Sequence, residues 1–293
     1  MISLNRTMIL FAAPLLTSVL SAGLAVAMVG GATPDAALAP RVVAIMGTNG
    51  SVCTGSVIAL DLVLTAAHCV EPGFKYAAIE LSHARLRETE VARVEQHPQF
   101  HFNASNKARP TDDIAILKLA KQLSASAVPV PLGSRDFFPA GDRFSVAGLG
   151  SDSEHHDGKF GRLLVAGLVT VISRSDLQLR LIDPLTRGDR PGSSACTGDS
   201  GGPVFEDTWS GPVLVGVVSW AATVSGNPGC GGLTGATPIA PVRQWIDETA
   251  RLLGSFLGTQ PIATRACCDI VLLGALEGSA NERSRFKRSC RAS

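Results

Sequence analysis

Cys196-Thr197-Gly198-Asp199-Ser200-Gly201-Gly202-Pro203 is the segment on which the reading of this chain turns. A serine hydroxyl is a weak nucleophile. It needs a neighbouring base and donors aimed at the oxyanion that develops during acyl transfer. Gly198 stands two residues before Ser200, so its N–H is unobstructed and can join the N–H of Ser200 in such a donor pair. Gly201 and Gly202 carry no side chain, which leaves room for a substrate backbone to approach closely. An ordinary glycine-rich turn before a strand would not need all of positions 198–203 together with Cys196 just ahead of them.

A candidate base and its orienting carboxylate lie upstream. Thr65-Ala66-Ala67-His68-Cys69 puts a histidine just after an apolar run, with a cysteine beside it to pin the loop. Imidazole moves protons near neutral pH. Asp112-Asp113-Ile114-Ala115-Ile116-Leu117-Lys118-Leu119 sets a carboxylate at the entrance of an apolar strand, where burial lets it fix an imidazole tautomer. Alone, an aspartate before a strand is a turn residue; the order His68, Asp113, Ser200 gives it weight. Gly198-Asp199-Ser200-Gly201-Gly202 also fits Gly-x-Ser-x-Gly, the nucleophile elbow of another class of serine hydrolase. There the histidine follows the serine, and no histidine follows Ser200. His83, His97, His101, His155 and His156 sit in no comparable motif.

Around these segments the pattern is strand and turn. Apolar runs at 42–46, 52–58, 62–65, 77–81 and 114–119 read as one antiparallel β unit, and runs at 144–149, 163–172, 177–181, 213–220 and 236–239 as a second. Between them Val128-Pro129-Val130-Pro131-Leu132 is an extended connector, because proline excludes helix and cannot donate to a ladder. Pro241 opens a helix whose apolar residues Val242, Trp245, Ile246, Ala250, Leu252 and Leu253 share one face. The last stretch, with Arg283, Arg285, Lys287, Arg288 and Arg291, reads as a basic tail.

Composition narrows the setting. The 293 residues carry a formal net charge of +1, so a field-driven grip on nucleic acid is excluded. Hydrophobic residues at 45% and charged ones at 17% are enough for a sizeable core and argue against disorder. Arg6, the apolar run 8–20 and Ala25-Val26-Ala27 form an export leader cleaved after Ala27. Pro14 and the Ala/Gly-rich end argue against a membrane anchor, so the mature chain is expected to be secreted, extracellular or periplasmic, with no membrane attachment.

Export makes disulfides available. Of seven cysteines, Cys53 and Cys69 flank the His68 loop, Cys196 and Cys230 flank another, and Cys267, Cys268 and Cys290 lie near the end. The odd count leaves at least one thiol without an intrachain partner. A Cys53–Cys69 bond would close a loop of roughly 15 residues, worth about 3 kcal/mol in the chain-entropy model. The spacings do not resemble zinc knuckles, the acidic residues of 71–90 are too scattered for a calcium site, and no cofactor is implied. Asn103-Ala104-Ser105 is a glycosylation sequon.

Segments 65–69, 113–119 and 196–203, with Val218-Ser219-Trp220, resemble the chymotrypsin/trypsin family of serine proteases. The resemblance implies an all-β fold of two antiparallel six-stranded barrels with a C-terminal helix and the active site in the cleft between them. It covers 28–256, after a signal peptide at 1–27 and before an extension at 257–293 of unknown role. By the same resemblance the chain is a secreted endopeptidase acting through an acyl-enzyme, with polypeptide substrates and protein inhibitors as its partners. His68 is then the base, Asp113 its orienter, Ser200 the nucleophile, and the N–H groups of Gly198 and Ser200 the oxyanion hole.

The finer expectations follow from the same match. Ser219, Trp220 and Ala221 pair with the substrate backbone, and Ser194 lies at the base of the pocket for the P1 side chain. A neutral Ser194, with Ala221 narrowing the wall, implies small or medium apolar P1 residues. Met28-Val29-Gly30-Gly31 resembles the family's mature terminus, whose ammonium pairs with the aspartate before the nucleophile, here Asp199. Two departures stand out: Leu149 occupies a position where tryptophan is common, and no cysteine lies between Cys69 and Cys196.

Overall fold

Runs of β-branched and apolar residues broken by glycine and proline favour short strands over helices, and the computed structural model is built from them. It describes residues 28–81, 86–101, 112–150, 163–171, 178–255 and 257. The leader at 1–27, His83, the sequon at Asn103, His155, His156, and the tail with Cys267, Cys268 and Cys290 lie outside the described residues.

A two-residue strand, β1 (Thr33–Pro34), leads in. The first barrel follows: β2 (Val42–Gly47), β3 (Val52–Ala59), β4 (Leu62–Thr65), β5 (Tyr76–Leu81), β6 (Leu86–Gln96) and β7 (Ala115–Leu119). Its strands pair antiparallel and close in the order β2-β3-β4-β7-β6-β5. The second barrel comprises β8 (Arg143–Gly148), β9 (Leu164–Thr170), β10 (Leu179–Ile182), β11 (Pro203–Thr208), β12 (Gly211–Ala221) and β13 (Thr234–Pro238). It closes as β8-β9-β10-β13-β12-β11, with β11 returning to β8 and β1 added on β9. Closure removes the exposed edges that open sheets must protect.

The expected double barrel is present, and β4 has the bounds its apolar run implied. Besides the short β1, two barrel strands carried no legible pattern. β6 is mostly exposed and charged, and it is a strand because β5 and β7 pair with it on either side. β11 is short and runs straight on from the serine loop, with Phe205 fully buried.

The connector at 128–132 bridges the two halves by backbone bonds. Val130 N–H donates to the Val57 carbonyl at 2.9 Å, and Leu214 N–H donates to the Pro131 carbonyl at 2.9 Å. Each barrel has an apolar interior, but the first barrel's core also takes in Ala147, Leu149, Phe205, Leu214 and Val217 of the second. That shared apolar seam holds the barrels face to face, and the site lies along it.

Helix α1 (Arg243–Leu252) follows a 3-10 turn at Ala240–Val242 with Pro241 in its first positions, as proline's fixed φ favours. Ile246 and Ala250 are buried in the shared core. Just past its end, Ser255 Oγ donates to Asp61 Oδ1 at 2.9 Å while Lys118 Nζ donates to Ser255 Oγ and Asp61 Oδ2, both at 2.6 Å. These bonds clip the helix end to the first barrel. No helix among the described residues is long and apolar enough to cross a membrane.

Candidate active site

His68 lies in a 3-10 turn, Ala67–Cys69, immediately after β4. Two devices fix that turn. Cys69 is disulfide-bonded to Cys53 on β3, and Gln96 at the end of β6 donates its side-chain amide to the Ala67 and Val70 carbonyls at 2.9 and 3.0 Å. The side chain of His68 is 26% exposed, so one edge of the ring faces solvent. Cys53, His68 and Cys69 bring potential ligand atoms within 4.8 Å of one another, but both sulfurs are tied in the disulfide and offer no thiolate to a metal.

Asp113 sits fully buried at the entrance of β7. Its Oδ1 accepts the His68 backbone N–H at 2.9 Å, and its Oδ2 lies 2.7 Å from His68 Nδ1. Ser219 Oγ, from β12 of the other barrel, donates to the same Oδ2 at 2.5 Å. Burial opposes the carboxylate's charge, but the charge and bonds of His68, with the Ser219 bond, outweigh it and hold the Asp113 pKa below its ordinary value. Burial likewise lowers the imidazole's pKa, yet the Asp113 bond and charge, with the charge of Glu71, leave it raised above 6.5. With Nδ1–H donating to the carboxylate, Nε2 is the basic nitrogen; the Cys69 sulfur 3.9 Å from it is tied in the disulfide and has no proton to donate. Asp112 takes no part: its Oδ2 faces His97 Nδ1 at 3.4 Å, and the His97 ring packs edge-on against Trp245.

The serine loop is seated against the first barrel at the same place. Gly201 donates to the Val218 carbonyl at 2.7 Å and has φ +81°. A Cβ there would lie 2.1 Å from Thr65 Oγ1, 2.2 Å from the Thr54 carbonyl oxygen and 3.0 Å from the Ala66 nitrogen. Only glycine fits, and that fit lays Ser200 against the segment leading into His68. Cys196 is bonded to Cys230. Within the loop the N–H groups of Asp199, Gly201 and Gly202 are all taken by carbonyls, whereas those of Gly198 and Ser200 have no acceptor among the described residues. Gly198 has φ +90°, a conformation that L side chains rarely adopt.

Asp199 points the other way, into the second barrel, and is fully buried. Its carboxylate accepts the N–H groups of Cys196 at 2.8 Å and Gly150 at 2.9 Å, and that of Met28. Burial pushes its pKa up to about 7, the three N–H bonds offsetting only part of the cost. Met28 is itself buried, and Val29 exchanges backbone bonds with Ser194 at 3.3 Å in both directions. Ser194 is fully buried; its hydroxyl donates to the Ala195 carbonyl at 2.9 Å and accepts the Gly231 N–H at 2.6 Å. Trp220 and Ala221, at the end of β12, are partly exposed.

The structure thus brings Asp113, His68 and Ser219 together, and it sets the loop carrying Ser200 against Thr54, Thr65 and Ala66, just ahead of His68. Sequence reasoning missed three supports: Ser219 as a second partner of Asp113, Gln96 under the His68 turn, and Thr54. The last is a hydroxyl with 0% exposure on β3, and what marks it is its bond to Gly198, 144 residues away in the chain.

Comparison with known proteins agrees with this geometry. The family model described as Trypsin matches residues 28–246. Vitamin K-dependent protein C of Oryctolagus cuniculus is 30% identical over 218 residues, which is 67% of this chain and 45% of that protein. Trypsin alpha of Drosophila erecta is 26% identical over 244 residues, 76% of this chain and 87% of that protein. The chain thus spans less than half the length of the protein C it matches and most of the trypsin. Two closed barrels, a buried carboxylate bonded to a histidine, and a family match over most of the chain give one conclusion: this chain belongs to the trypsin family and is a serine-type endopeptidase.

Proposed function

We propose that Ser200, His68 and Asp113 form the catalytic triad and that the N–H groups of Gly198 and Ser200 form the oxyanion hole. Ser200 Oγ attacks the scissile carbonyl carbon while His68 Nε2 takes the hydroxyl proton, and the carbonyl oxygen becomes an oxyanion held by the two N–H groups. Collapse expels the amine, which receives the proton from His68, and leaves an acyl-enzyme. Water then repeats the sequence and frees the acid. Asp113 stays ionised throughout and stabilises the imidazolium. The observation that carries this is the threefold hydrogen bonding of buried Asp113 to His68 Nδ1, His68 N–H and Ser219 Oγ. A fluorophosphonate probe is expected to label the protein covalently and to leave Ser200→Ala unlabelled; equal labelling of both would remove Ser200 from the role.

The same proposal extends to export and specificity. Residues 1–27 act as a signal peptide, so the enzyme works outside the cell membrane, and 257–293 follow the protease domain as an extension. Ser219, Trp220 and Ala221 hold the substrate backbone as an added strand. Ser194 is neutral and its hydroxyl is already engaged on both sides, so the P1 pocket has no charge there to meet Arg or Lys. A peptide library is expected to show small or medium apolar residues at P1. A profile dominated by Arg or Lys would overturn this assignment.

A further inference from the structure

Thr54 is the point at which the first barrel touches both halves of the proposed oxyanion hole. Its backbone N–H donates to the Ser200 carbonyl at 2.8 Å, and its hydroxyl donates to the Gly198 carbonyl at 2.9 Å. The same hydroxyl oxygen accepts the Leu149 N–H at 3.0 Å, and the Thr54 carbonyl accepts Thr65 Oγ1 at 2.8 Å. The hydroxyl is thus used once as donor and once as acceptor, in a site with no access to water. Its orientation is fixed by the bonds it makes.

We infer that Thr54 is a positioning residue for the oxyanion hole, clamping the carbonyls of the two residues whose N–H groups bind the oxyanion. This rests on the proposed role of Gly198 and Ser200. Gly198 needs such a hold more than other residues do, because glycine has no Cβ to limit its φ and ψ and it sits at φ +90°. Fixing its carbonyl fixes ψ, and with it how the 198–199 peptide follows the N–H aimed at the substrate. Electrostatic stabilisation of this kind depends on donors that are already in place when charge develops. A donor free to swing contributes less to the transition state and little to ground-state binding. The clamp also comes from the strand that carries Cys53, whose partner Cys69 adjoins His68. One strand therefore sets both base and oxyanion donors.

The test compares wild type with Thr54→Val, which keeps the shape and removes the hydroxyl, and with Thr54→Ser, which restores it. Kinetics are expressed per active site titrated with a fluorophosphonate, so a poorly folding preparation still reports. If Val leaves no titratable enzyme, Thr54→Ala takes its place. The expected result is a fall of about 10-fold or more in kcat with KM within about 3-fold, part of the 10²–10³ that loss of a whole donor costs, and recovery to near wild type in Thr54→Ser. A peptide aldehyde, whose adduct places an oxyanion in the hole, should weaken in step with kcat/KM. A peptide amide of the same sequence should not. Unchanged kcat per site in the Val variant, a fall with unchanged aldehyde inhibition, or no rescue by Ser would overturn the clamp. If wild type binds the aldehyde no better than the amide, the oxyanion-hole assignment itself fails instead.

Discussion

Asp113→Asn is expected to lower kcat by about 10⁴, the loss this change brings in Ser-His-Asp triads, and Ser200→Ala or His68→Ala to abolish nearly all turnover. The asparagine would keep the volume and much of the hydrogen bonding. Its amide can present N–H toward Nδ1, which then must accept, and the proton moves to Nε2, the atom that has to act as base. Ser219 Oγ and the His68 N–H hold the side chain from two other directions, so it cannot easily turn away from that contact. The imidazole's raised pKa predicts in addition an acid limb of kcat/KM with an apparent pKa above 6.5 in the wild type. Loss of the carboxylate should move that limb down. A near-normal rate for Asp113→Asn would show the wrong carboxylate has been chosen, yet the alternative, Asp112, already faces His97. Steady-state rates across pH for the three variants decide the matter.

What could be read from the sequence was whatever steric or chemical demand left no substitute. Gly201 has a backbone angle and a 2.1 Å neighbour that only glycine tolerates; Asp113, alone an ordinary turn residue, was marked by its place between His68 and Ser200 in the chain. The strands of both barrels showed where alternation or continuous burial put apolar residues in the chain. β6 did not, because ladders on both sides hold it and most of its side chains are exposed, with Thr89 buried and Val91 and Val94 packed on the core too few to make an apolar run. Thr54 was equally silent. Its two contacts with the serine loop cross more than a hundred residues, with a separation of 144 to Gly198, and nothing local distinguishes it from strand filler. Gln96 and Ser219 belong with it: each is an ordinary polar residue whose meaning is supplied by a partner on another element.

Cleavage after Ala27 is expected to switch the enzyme on, so the active protein should begin at Met28, and a version with one residue added before Met28 should lose at least about 10² in activity at pH 8, the scale of a lost oxyanion donor. The structure has the parts in register: Met28 buried against Asp199, and Val29 bonded to Ser194. While Met28 carries an amide nitrogen, Asp199 has no cation, and burial pushes its pKa up to about 7. A carboxyl raised in the folded state above its unfolded value near 4 stabilises the seated form fully below that value, and the benefit is lost as pH rises toward about 7. Above that, an unpaired buried carboxylate would drive the segment out and slacken the loop that carries Gly198. Cleavage replaces the amide by an ammonium, which pairs with Asp199, lowers its pKa and keeps the segment seated until the ammonium itself deprotonates above about 8. The activity ratio of mature to extended protein should therefore climb as pH rises toward about 7 and level off above it, whatever His68 contributes to both. Amino-terminal sequencing of the active secreted protein, with rates and melting temperatures of both versions from pH 5 to 9, tests this. A mature terminus elsewhere, or an extended version equally active at every pH, would remove Met28 and Asp199 from the role.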